Sequence, residues 1–163
     1  MAQRGLAARR TTAARLANLN NLRQHTMTHK PNKLEIAAFL KAEFPQNACT
    51  VEAVGERCAT IRMPIGINEL RPGGTVSGPV MMTVADVALY VAILGEIGIV
   101  PLTVTTSLSI NFLRKPSADK AILGVCKLMK VGKTLAVGEV TLYSEGVPEP
   151  VAHAVGTYAI PRA

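Results

Sequence analysis

The chain has 163 residues, 48% hydrophobic and 18% charged, with a formal net charge of +7. That is length for one domain with a real core, and too apolar a composition for a disordered chain. The charge is unevenly placed. Residues 1–30 hold five arginines, one lysine and no acid, while the rest has twelve bases against eleven acids. A nucleic-acid role needs a basic face on the fold itself, which this near balance argues against.

Residues 1–30 therefore read as a basic, disordered N-terminal extension, and 31–163 as the folded domain. The Arg-, Ala- and Thr-rich composition also fits a mitochondrial transit peptide, and Met27 is an alternative start. His25 and His29 are four apart but lack a third ligand, so they read as exposed histidines rather than a metal site.

PNKLEIAAFLKAEFP follows, with Leu34, Ile36, Ala37, Phe39 and Leu40 as one stripe of a short helix that Pro45 stops. ACTVEAVGERCATIRMPI reads as two strands, with Gly55 supplying the turn. GINELRPGGTVS reads as a loop. GPVMMTVADVALYVAILGEIG is a long helix with Ser77 as N-cap and Pro79 in the first turn; Gly95, Gly98 and Pro101 mark its end. Its apolar length approaches that of a membrane span, but Asp86 and Glu96 interrupt it. A core helix wrapped by strands is the expected setting.

Four strands complete the chain. In TVTTSLSINFLRK, Leu108, Ile110 and Phe112 alternate with Ser107, Ser109 and Asn111. KAILGVCKLMKV and TLAVGEVTLYSE flank a Gly132-Lys133 turn, EGVPEP turns again, and VAHAVGTYAI is last. Gly132-Lys133-Thr134 is not a P-loop, because position 127, where the first glycine belongs, is Lys127. Cys49, Cys58 and Cys126 are odd in number and form no CxxC, which fits reduced, structural thiols in a cytoplasmic protein.

A long helix wrapped by five to six antiparallel strands, with a glycine loop at its start, resembles the α+β hotdog fold. TVSGPVMMTVAD resembles the segment that PaaI-type acyl-CoA thioesterases write as hHGGhhhxhhD, in the broad group of 4-hydroxybenzoyl-CoA thioesterase. TSLSINFLRKP and VGKTLAVGEVTLYS are also similar to strands of that family. The resemblance spans about residues 31–160. It implies hydrolysis of acyl-CoA thioesters to acid and CoA, with no cofactor beyond CoA in the substrate, and a homodimer or a tetramer of paired dimers. No nucleic acid or membrane partner is expected. It assigns Gly78 as the backbone donor to the thioester carbonyl and Asp86 as general base or nucleophile. Three positions depart from the pattern: Ser77 stands for the histidine, Pro79 for the second glycine, and Arg71 where an asparagine belongs, Asn68 being out of register. Ser77 and Arg71 are the candidate substitutes.

Physical reasoning adds a constraint. A helix N-terminus offers free N–H groups and positive potential, and glycine allows close approach of a ligand. Asp86 lies eight residues on, roughly 12 Å at 1.5 Å per residue. One chain cannot easily present both groups to one carbonyl carbon, but two antiparallel helices related by a two-fold axis can. A buried carboxylate without partners costs several kcal/mol, so Asp86 reads as functional, and Thr83 and Tyr90 are the only groups on its helix face able to bond to it. Tyr90 is also a candidate to orient water or substrate. Arg114, Lys115 and Lys133 are candidates for CoA phosphates, and Thr105, Thr106 and Asn111 for lining the acyl pocket. His153 reads as a satisfied core histidine. The alternatives are a non-catalytic acyl-CoA-binding protein and a hotdog hydratase or dehydratase, the latter disfavoured because no histidine lies near Gly78 or Asp86 in sequence.

Overall fold

A computed structural model of the protein describes residues 29–162. The predicted basic extension therefore falls largely outside the described residues. Helix α1 spans Lys33–Glu43. Asn32 caps it by accepting from the N–H groups of Leu34 (2.8 Å) and Glu35 (3.1 Å), while Glu35 accepts from the Asn32 N–H at 2.8 Å. This reciprocal box satisfies donors that a helix start otherwise leaves open. Just before it, His29 meets Glu35 and the Lys30 ammonium meets Glu96 at 2.9 Å, so these two residues sit on the domain.

Strands β1 (Thr50–Gly55) and β2 (Cys58–Met63) form a hairpin. Its turn differs from expectation: the residue in the left-handed region is Arg57 (φ 53), not Gly55. Gly55 supplies room instead, since a Cβ there would lie 2.9 Å from the Cys58 sulfur. The segment read as a loop contains a 3-10 turn, Ile67–Glu69, and a two-stranded ribbon of β3 (Leu70–Arg71) and β4 (Thr75–Val76). Gly73 and Gly74, both at positive φ, make the ribbon's turn. The ribbon leads into helix α2, Gly78–Ile97. Ser77 occupies the N-cap position, but its side chain makes no capping bond. Its N–H donates to the Glu69 carbonyl (3.0 Å) and its carbonyl accepts from Met81 (3.3 Å). Gly98, at φ 96, ends the helix, and Gly95 lies inside it.

Strands β5 (Val104–Phe112), β6 (Ile122–Val131), β7 (Leu135–Ser144) and β8 (Pro150–Ala159) follow. The six long strands form one antiparallel sheet in the order β1-β2-β6-β7-β8-β5. Helix α2 touches every one of them, which is the hotdog arrangement anticipated from the sequence. By length and composition α2 could cross a membrane, yet eleven of its residues are buried in this core. Burying each Val, Leu or Ile side chain contributes about 1.5–3 kcal/mol. Glycines let the helix come close. Gly138 and Gly156 pair across β7 and β8, and a Cβ on either would strike the buried Leu89 side chain.

Among the described residues, β5 is an outer strand that pairs only with β8. Val104, Phe112 and Leu113 on or beside it are about half exposed. The β5–β8 register slips by one residue between Thr105 and Ser107. This bulge reverses the inward–outward parity of the strand's first residues relative to Leu108 and Ile110.

Candidate active site

Asp86 sits midway along α2, half-buried, between the buried Ala85 and Val87. Its Oδ1 accepts two hydrogen bonds, from the Thr105 hydroxyl at 2.6 Å and the Tyr158 hydroxyl at 2.7 Å. The Tyr158 hydroxyl also lies 2.9 Å from the Asp86 carbonyl oxygen. The carboxylate is thus held by two strands, not by its own helix. The partners expected from the helix face are engaged elsewhere: Thr83 donates to the Pro79 carbonyl (3.1 Å) and Tyr90 to the Pro101 carbonyl (3.2 Å). Oδ2 has no hydrogen-bond partner among the described residues.

Thr105 and Tyr158 face each other across β5 and β8. The bulge at Thr106 turns Thr105 onto the inner face, where it meets Asp86, while the Thr106 hydroxyl donates to the Thr157 carbonyl at 3.1 Å. Tyr158 is 2% exposed. Burial, followed by the nearby Asp86 charge and its hydrogen bond, pushes the Tyr158 phenol far above its ordinary range, so it stays a donor. Tyr90 stacks on Tyr158 with ring centres 6.3 Å apart, and its phenol is also pushed up by burial.

These groups line a pocket of about 470 Å³ whose walls include Phe39, Phe44, Tyr90, Thr103 and Tyr158. A carboxylate with one oxygen fixed and the other unengaged, opening on a largely apolar pocket, can accept a proton from a bound water.

Gly78 belongs to a different concavity, of about 420 Å³, shared with Arg71, Thr75, Phe112, Arg114 and Lys115. As the first helical residue it has no acceptor for its N–H within the helix. A Cβ at this position would lie 3.3 Å from the Phe112 ring, so the absent side chain keeps the approach open. Pro79 has no N–H, which leaves Gly78 the sole donor of the first two helical residues. Arg71, Arg114 and Lys115 supply positive charge beside it.

The structure thus gathers Arg71 and Arg114 with Gly78, and Tyr90 and Thr105 with Asp86. It brings Lys133 to neither pocket; that residue lies in the turn between β6 and β7. Asn111, opposite His153 on β5, is exposed and lines neither. His153 is not a core residue: it is partly exposed and meets Glu139 at 3.2 Å. Among the described residues no group of three or more His, Cys, Asp or Glu side chains could hold a metal ion. Tyr158 escaped sequence reasoning, although a tyrosine in phase with Ala152, Ala154 and Gly156 signals an inward hydroxyl that needs a partner.

A family model described as "Thioesterase superfamily" matches residues 73–151, which include both Gly78 and Asp86. A candidate thioesterase from Silicibacter sp. TM1040 is 41% identical, with a TM-score of 0.76 over 83% of this chain and 96% of that one. The chain belongs to the thioesterase superfamily. The PaaI protein of the phenylacetic acid degradation operon of E. coli shares the fold, at 20% identity and a TM-score of 0.66 over 78% of this chain and 98% of that one. So does zebrafish thioesterase superfamily member 2, at 18% identity and a TM-score of 0.71 over 80% and 99%. A search of curated proteins finds no match. Within this superfamily member the hotdog helix carries Gly78 at its start and Asp86 at its middle, in separate pockets.

Proposed function

We propose that this protein hydrolyses acyl-CoA thioesters to a free acid and CoA, as a cytoplasmic homodimer whose two active sites each span both chains. The observation that carries this reading is the division of the site. The carboxylate and the helix N-terminal donor line different pockets of one chain, roughly 12 Å apart along the helix. A two-fold axis that sets two α2 helices antiparallel brings Gly78 of one protomer to Asp86 of its partner, twice. The unpaired β5 edge, with its half-exposed Val104 and Phe112, supports a second copy docking there. Its three free cysteines suit a reducing compartment.

In this reading the thioester carbonyl oxygen accepts from the Gly78 N–H, which gains strength as negative charge develops on that oxygen. Asp86, its Oδ1 fixed by Thr105 and Tyr158, uses Oδ2 to take a proton from water. The water oxygen bonds to the carbonyl carbon. The C–S bond then breaks, and the CoA sulfur leaves with the electron pair and takes up the proton that Asp86 received. The acyl group occupies the aromatic pocket around Tyr90, and Arg71 and Arg114 meet the CoA portion beside Gly78, whereas Ser77 lines neither pocket.

A panel of acyl-CoA esters assayed by thiol release tests the activity. Asp86→Asn is expected to lower turnover by about 10²–10⁴-fold while sparing binding. Retained binding with no turnover in the wild type would instead mark a non-catalytic acyl-CoA-binding protein. Sharing of the site has its own test. Asp86→Asn chains mixed with Gly78→Val chains form hybrid dimers with one intact site, so inactive parents should recover about one quarter of wild-type activity. No recovery, with hybrids demonstrably formed, rejects the shared site.

A further inference from the structure

We propose that Phe44 sets the length of acyl chain this protein accepts, by closing the Asp86 pocket off from a second apolar pocket. The inference rests on the thioesterase reading above. The second pocket, of about 500 Å³, lies beside the end of α1 and the start of β1, and Leu40, Pro45, Cys49 and Val51 make its apolar walls beside Lys41, Asn47 and Thr50. Among the described residues, Phe44 is the one that lines both this pocket and the pocket of Asp86.

The second pocket offers space and no evident chemistry of its own. Its thiol, Cys49, is buried, points to the Met63 sulfur at 3.7 Å, and is pushed up to about 12 by burial. The Phe44 backbone is held on both sides. Its N–H donates to the Leu40 carbonyl at 2.9 Å, and its carbonyl accepts from the Asn47 N–H at 3.0 Å. Pro45 follows directly. An acyl chain entering past Asp86 therefore runs among Phe39, Val87 and Tyr90 toward Phe44, and the second pocket, of about the same volume again, has that same residue as a wall. Each methylene that finds an apolar wall strengthens binding about fourfold, and one that meets a filled volume is rejected.

The test is kcat/KM for a series from butanoyl-CoA to dodecanoyl-CoA, measured for the wild type, Phe44→Ala and Phe44→Leu. The ratio of dodecanoyl to butanoyl activity is expected to rise at least about tenfold in Phe44→Ala, with Phe44→Leu intermediate. Should Phe44→Ala fail to fold, Phe44→Leu decides, because it keeps a side chain at the helix end. A folded variant with the wild-type ratio, or one that loses both activities equally, overturns the role of Phe44 while leaving the thioesterase reading intact. A wild type that hydrolyses no member of the series overturns the thioesterase reading, and this inference with it.

Discussion

Replacing Tyr158 by phenylalanine tests how Asp86 is held. The change deletes one oxygen and leaves the ring, which stacks on Tyr90. That oxygen donates to Oδ1 at 2.7 Å, and a hydrogen bond to a charged group is worth about 1.5–3 kcal/mol. Tyr158 is 2% exposed, so water replaces the donor poorly, although the neighbouring pocket gives it some access. A loss near the lower end, about 2 kcal/mol, is expected. At this chain length that lowers the melting midpoint by roughly 4–8 °C. The effect on function is sharper, because misplacing a reacting group by about 1 Å costs on the order of 10²-fold. Tyr158→Phe should therefore lower kcat about 10- to 100-fold with KM nearly unchanged. In an Asp86→Asn background the same change should do little to the residual rate, because the hydroxyl acts through the carboxylate. Steady-state kinetics on the four proteins of this cycle provide the measurement. A single variant within twofold of wild-type kcat, or equal effects in both backgrounds, would refute the assignment of Tyr158 as a positioning residue.

Gly138→Ala places a Cβ 2.8 Å from a Leu89 methyl and 3.0 Å from a Leu128 methyl, both on buried side chains. Overpacking of this kind costs about 1–3 kcal/mol, which denaturant melts would read as a lower midpoint at unchanged slope. Thr103 is 3% exposed and its hydroxyl has no partner among the described residues. Thr103→Val is expected to raise stability by about 1 kcal/mol, and a loss would mean that a bound water satisfies the hydroxyl. Cys49 and Cys126 are pushed from their ordinary 9.0 to about 12 by burial. A thiol with a raised folded pKa leaves the folded state holding more protons, so stability is fully present below pH 9 and falls as pH rises toward 12. Thermal melts between pH 7 and 11 should show that decline, and a flat profile would contradict it. In the native protein at neutral pH, thiol labelling should modify the exposed Cys58 and spare the other two.

The elements that the sequence announced are those whose periodicity is local. The long helix, its Ser77-Gly78-Pro79 start and the alternation of Leu108 with Ile110 follow from side-chain spacing and from what proline and glycine permit. The β3–β4 ribbon was invisible because each strand is two residues long, too short for any period. The partners of Asp86 were invisible for a different reason. Read by alternation, Thr105 belongs to the outer face with Ser107 and Ser109. One extra residue in the strand reverses that parity and turns Thr105 inward. Tyr158 lies seventy-two positions from Asp86, and the pairing of β8 with β7 and β5 brings it under the helix. Helix-face reasoning therefore searched Thr83 and Tyr90, whose hydroxyls the backbone had already claimed.

This arrangement also bears on the positions where the chain departs from the HGG pattern. Pro79 removes one N–H from the helix start, and Ser77 makes no capping bond, so before Met81, which donates to the Ser77 carbonyl, α2 offers the N–H groups of Gly78 and Val80. Positive charge at that end comes from Arg71 and Arg114 on flanking segments. The carboxylate end depends on none of the departed positions, because its two donors come from β5 and β8. The two halves thus differ in how they tolerate change. Substitutions at Arg71 or Arg114 should act on the encounter with substrate and appear chiefly in KM. Substitutions at Thr105 or Tyr158 should act on the proton-accepting group and appear in kcat. If Arg71→Ala lowered kcat as much as Tyr158→Phe while leaving KM unchanged, this division of labour would be wrong, and Arg71 would have to reach the reacting carbonyl itself.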